Sequence, residues 1–182
     1  MFSRLVQMCV VLTVFSLSSA LTCRWIHHKF KQHNSECLTL LKDMKEDISV
    51  NTSIPENWHQ WFFNHSHSQP EKQVWFMVQT LKEMTRLLVE AKSVSWSEDK
   101  LDTFLNMLQQ QTTGLQLCVS PTMKRSKSKR LPLYFKRLRD LTQNKTVEKK
   151  KAWEQIRTEL LQLLKLLDFF PAVSVQHAAR HS

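Results

Sequence analysis

TVEKKKAWEQIRTELLQLLKLLDFF, residues Thr146 to Phe170, is the stretch whose reading decides the fold of this 182-residue chain. At the helical rotation of roughly 100° per residue, Trp153, Ile156, Leu160, Leu163, Leu164 and Leu167 share an arc about 100° wide, enough to dock a helix on a core. Pro171 ends that helix, because it lacks an N–H and disfavours the αR conformation at the residue before it. Lys150, Glu154, Arg157, Lys165 and Asp168 fall on the side away from the leucines, and Leu161 projects from their midst. An apolar side chain ringed by charges has the make-up of an anchor for a partner; a stray surface leucine is the plainer reading.

Upstream, Leu131, Tyr134, Phe135, Leu138 and Leu141 line a shorter helix D, which Gln143 to Lys145 turn into the last one. Leu101, Phe104, Leu105, Leu108 and Leu115 carry helix C toward Cys118, with Ser95 and Glu98 at capping-box spacing before it. Helix B starts at Pro70-Glu71 and buries Val74, Met77, Val78, Leu81, Met84 and Leu88; proline suits a first turn and the acid favours its dipole. Helix A runs from about Arg24 to Ile48 with Ile26, Phe30, His33, Cys37, Leu40, Leu41, Met44 and Ile48 on one side. Between A and B, residues 49–69 carry no helical stripe but hold Trp58, Trp61, Phe62 and Phe63, which are expected to fold over the helices. Residues 119–130, VSPTMKRSKSKR, form a second long, basic connection.

A single glycine, Gly114, and the lack of Val/Ile/Thr-rich runs between turn signals argue against hairpins and sandwiches. The class is all-α, with five to six helices. Taking A, B/C, D and the last helix as the main members, the two long connections predict an up-up-down-down four-helix bundle, since only long links join parallel neighbours.

Residues 1–20 read as a signal peptide: Arg4, an apolar run from Leu5 to Leu17, and Ser18-Ser19-Ala20 as a cleavage site. That run is too short for a membrane span. The expectation is a secreted domain over 21–182, with a flexible tail from about residue 171 and no membrane insertion. The net charge of +10 becomes +9 when Arg4 leaves, which favours acidic partners. Lys124, Arg125, Lys127, Lys129 and Arg130 are candidates for heparan-type polyanions. Nothing in the chain has the spacing of a nucleic-acid-binding finger or basic zipper.

Cys9 goes with the signal, leaving Cys23, Cys37 and Cys118, so one lacks an intramolecular partner. Cys37 sits within helix A's stripe as a buried small side chain or an intermolecular partner, whereas Cys23 and Cys118 sit at helix ends, where a bridge bends no element. Asn51, Asn64 and Asn144 each open a glycosylation sequon in a predicted link. His59, His65 and His67 lack further ligands at metal-binding spacing. Glu154, Glu159 and Asp168 are spread around the last helix and read as surface charges, and no catalytic motif occurs. No enzyme activity, cofactor or metal is expected.

The run Lys151-Ala152-Trp153-Glu154-Gln155-Ile156-Arg157-Thr158-Glu159 resembles the C-terminal signature of type I interferons, in which Cys-Ala-Trp-Glu precedes an arginine and a glutamate at these offsets. Tyr134-Phe135 with Lys136-Arg137 is similar to the family's preceding helix, and Cys23-Arg24-Trp25 with Lys29-Phe30 is similar to its fish branch. Cys23 and Cys118-Val119 match the family's first disulfide, so the resemblance implies a Cys23–Cys118 bridge. Lys151 stands where the family has a cysteine, which removes the second bridge and is similar to the fish subgroup with one disulfide; Cys37 matches no family cysteine. The resemblance implies a cytokine, expected as a monomer, that bridges two class II cytokine receptor chains and starts JAK/STAT antiviral signalling. Glu154, Arg157, Leu161, Lys165 and Asp168 are the expected receptor-binding face. Another class II helical cytokine and a directly acting cationic host-defence protein are the alternatives.

Overall fold

The computed structural model describes residues 25–45, 60–62, 64, 68–90, 96–122, 127–143 and 148–170. A π-helical turn, Ile26–Phe30, leads without a break into α1, Lys31–Asp43; α2 is Pro70–Glu90, α3 Glu98–Leu117, α4 Arg130–Gln143 and α5 Lys149–Asp168. Among the described residues there is no strand.

The helix directions follow from side-chain ties. Asn34 Nδ2 donates to the Leu164 carbonyl at 3.0 Å, and Arg157 Nη1 to the Leu41 carbonyl at 2.8 Å, so α1 and α5 run antiparallel. Gln111 Nε2 meets Cys37 Sγ at 3.1 Å and Lys100 Nζ reaches the Asp43 carbonyl at 3.2 Å, which makes α1 and α3 antiparallel too. Residues 91–97 are too few to run back along helices some 30 Å long, so α2 and α3 are antiparallel neighbours. Hence α1 and α2 point one way and α3 and α5 the other: up-up-down-down. The first crossover is residues 44–69. The second is residues 118–148, and it contains α4, which packs against both α2 and α5.

This corrects the membership expected from the sequence. B and C are two full-length helices, each a bundle member, and the shorter D flanks the bundle. The hydrophobic spacing found B and C separately but could not rank D, because a short helix can bury a stripe as complete as a long one. Most of the stripe residues are buried, Val74, Met77, Val78, Leu81, Met84 and Leu88 on α2 and Leu131, Tyr134, Phe135 and Leu138 on α4, whereas His33, Leu40, Leu101, Leu105 and Leu141 are half-buried.

Helix α1 ends five residues before Ile48, with Met44 as its C-cap. Its last four carbonyls, which no intrahelical N–H reaches, all find donors. Leu40 and Lys42 accept from the backbone N–H groups of Met44 and Lys45, Leu41 from Arg157 and Asp43 from Lys100. At the start of α3 the N-cap is Ser97, two residues after the expected Ser95, and it makes no side-chain capping bond.

The buried side chains form one cluster. Trp61 and Phe62, from the aromatic connection, enter it against Phe76 in edge-on contacts with centroids 5.5 and 5.3 Å away, and Phe62 meets Tyr134 at 5.6 Å. Trp153 packs edge-on against Trp96 at 5.6 Å, and Phe170 stacks on Phe76 at 6.0 Å. Trp58 and Phe63 lie outside the described residues, as do the 1–20 segment and everything after Phe170.

Candidate functional site

Helix α5 is held by polar side chains as well as by leucines. Arg157 grips Glu154 with two parallel bonds, Nε to Oε2 at 2.8 Å and Nη2 to Oε1 at 2.5 Å, and its third group reaches the Leu41 carbonyl. That carbonyl belongs to the last turn of α1, the negative end of the helix dipole, where a cation is favoured. On the α4 side the Tyr134 hydroxyl donates to Glu159 Oε2 at 2.8 Å. Burial first, then the Glu159 carboxylate, pushes the Tyr134 pKa well above its ordinary value, so the phenol stays protonated as the donor.

The face expected to bind a partner is therefore largely covered. Glu154 is 3% exposed, Arg157 6% and Leu161 9%; Glu159, expected as a surface charge, is 3%. Of the five expected residues Lys165 is exposed and Asp168 half-buried. The cause is α1, which lies against that flank of α5 and supplies an acceptor for the arginine. The open residues instead form a stripe of Lys151, Gln155, Thr158, Gln162, Lys165, Leu166 and Phe169, all half-buried or exposed. By the same 100° projection this stripe centres nearly opposite the leucine arc, roughly 85° from the expected face. The signal was present: Thr158 and Gln162 are polar residues opposite the leucines, whereas Arg157 projects within about 20° of Leu164.

A family model described as the interferon alpha/beta domain matches residues 26–171. The chain belongs to the type I interferon family. This interferon is 35% identical over 167 residues to Interferon a3 of Oncorhynchus mykiss, covering 90% of this chain and 94% of that one. Among solved structures it is similar to Zebrafish interferon 1, with a TM-score of 0.70 and 27% identity over 83% of this chain and 99% of that one. It is a fish type I interferon with the helical cytokine fold, and that family is one of cytokines rather than of enzymes.

The other expected sites of this interferon are unevenly placed. Cys37 is fully buried, and burial pushes its thiol from the ordinary 9.0 up to about 12, only partly offset by the Gln111 contact. Cys118 is buried at the end of α3, while Cys23 lies outside the described residues. Asn64 is exposed; Asn51, Asn144, His59, His65 and His67 lie outside the described residues. No cluster of three metal-ligating side chains occurs among the described residues, and no described helix is long and apolar enough to cross a membrane. Lys127, Lys129 and Arg130 are exposed, and Lys124 and Arg125 fall outside the described residues.

Proposed function

We propose that this interferon is a secreted cytokine that brings two class II cytokine receptor chains together and so starts JAK/STAT antiviral gene induction. Membership of the interferon family supports the pathway, and the open stripe of α5 supports the docking surface. One receptor chain meets Thr158, Gln162, Lys165 and Phe169, together with the exposed Lys31, Ser35 and Lys42 of the antiparallel α1 beside it. Phe169 is 78% exposed next to Lys165, an aromatic anchor with a polar surround. Arg157 and Glu154 act behind this surface, holding α1 and α5 in register, with Leu161 as part of the packing.

Residues 1–20 direct export and are then removed, a Cys23–Cys118 bridge closes the chain, and Asn64 carries a glycan. The exposure of Asn64 supports the last of these.

The test treats receptor-bearing cells with purified mature protein and reads STAT phosphorylation and antiviral gene induction. Replacing Gln162 and Lys165 by Glu and Phe169 by Ala raises the half-maximal dose by about tenfold or more, with the melting temperature unchanged, because a lost hot spot costs that much affinity. Unchanged potency in that variant refutes the docking surface. Absence of any response from the parent protein refutes the cytokine reading.

A further inference from the structure

We propose that the outer face of α4 is a docking surface for a sulfated glycosaminoglycan chain. The proposal stands apart from receptor binding and is independent of the α5 stripe. Arg130, Leu133, Lys136, Arg137 and Asp140 are all exposed, and at 100° per residue they share one stripe roughly 120° wide, with the exposed Lys129 immediately before the helix. Lys129 and Arg130 precede Lys136 and Arg137 by seven residues, so two pairs of cations stand about 10 Å apart along the axis. Lys127, in the chain just before the helix, is exposed too, and Asp140 is the only acid on the helix. Lys127, Lys129, Arg130 and Lys136 form no ion pair with a carboxylate of the described residues.

The apolar packing of α4 is made by its other side, where Leu131, Tyr134, Phe135 and Leu138 are at most 1% exposed. The row is also held in place at its start. The Ser128 N–H donates to Gln79 Oε1 of α2 at 2.9 Å, and Ser128 Oγ accepts the Leu131 N–H at 3.3 Å. Cations carried on a folded helix lose little backbone freedom when a linear polyanion lies along them. The same geometry disfavours a bilayer as the occupant. A membrane-seeking helix turns its apolar side outward, whereas α4 shows only Leu133.

The experiment measures binding of the mature protein to immobilised heparin near physiological salt. Changing Lys129, Arg130, Lys136 and Arg137 to Gln weakens binding by about tenfold or more and lowers its salt dependence, as loss of phosphate-like contacts does for other polyanions. Changing Lys31, Lys42, Lys72 and Lys82, which are exposed elsewhere, removes equal charge and has a much smaller effect. Equal loss in the two variants overturns the site in favour of net charge. If the fourfold variant melts early, the Lys129→Gln, Lys136→Gln pair is measured instead, and heparin affinity equal to the parent's then overturns the site. Binding to desulfated heparin is weak; retention as strong as on heparin overturns the sulfate requirement. Vesicles of phosphatidylcholine with phosphatidylserine do not retain or leak; binding to them that depends on the same four residues assigns the face to lipid and overturns the proposal.

Discussion

Arg157 shows how a residue's neighbours decide its role. Its position in an interferon signature and its charge suggest an outward contact, yet its guanidinium is turned inward, bound to Glu154 and to the end of α1. Both charges are nearly withdrawn from water, so removing one partner strands the other. Arg157→Ala is expected to lower stability by about 3–5 kcal/mol, because Glu154 loses both guanidinium bonds and the Leu41 carbonyl loses its donor. Replacing the pair together, Arg157→Met with Glu154→Leu, should recover most of that loss, since an apolar pair of similar size needs no compensation. Urea unfolding followed by far-ultraviolet dichroism measures both; a loss below about 1 kcal/mol for the single change contradicts the clamp.

At the scale of elements, helix α3 contains the chain's only glycine at a place where propensity alone argues for alanine. Gly114 is buried, and a Cβ built there would overlap the Trp25 indole at the head of the π-helical turn. The glycine thus lets the indole lie flat on α3, and the same ring stacks on His33 at 6.0 Å. Gly114→Ala should destabilise the protein by about 1–3 kcal/mol, the cost of overpacking, against the roughly 1 kcal/mol gain expected for an exposed helix. Thermal unfolding of Gly114→Ala alone and with Trp25→Ala checks it: the penalty should vanish in the Trp25→Ala background. Element boundaries were legible where the stop or start is local. Pro70 opened α2 where expected, but nothing near Asp43 announced the end of α1, because two of its capping donors come from Arg157 and Lys100 on other helices.

For the whole molecule, the buried acids that stay neutral set the alkaline limit. Cys37 and Tyr134 both hold their protons more tightly in the native state than in the unfolded chain, mainly through burial. Their contribution to stability is complete below the unfolded pKa values and is lost as pH rises, the thiol's part between 9.0 and about 12. The denaturation midpoint should therefore fall with pH in that window, and Cys37→Ala should fall less steeply than the parent. Parallel slopes for the two proteins contradict this account.

By itself the sequence determined the helical class, the inward stripes of α2, α4 and α5, and the two long connections that force parallel pairs of helices. It did so because those features rest on local periodicity and chain length. It also carried the signature that led to the interferon family. Only the tertiary structure decided that α4 lies within the second crossover and that the Glu154–Arg157–Leu161 flank is covered. A helix projection describes one cylinder, and its flanks are buried or open according to which neighbour arrives there. Here the end of α1 arrives with a carbonyl that no intrahelical N–H reaches, so a charged flank becomes interior and the open side of α5 lies at Thr158, Gln162 and Lys165.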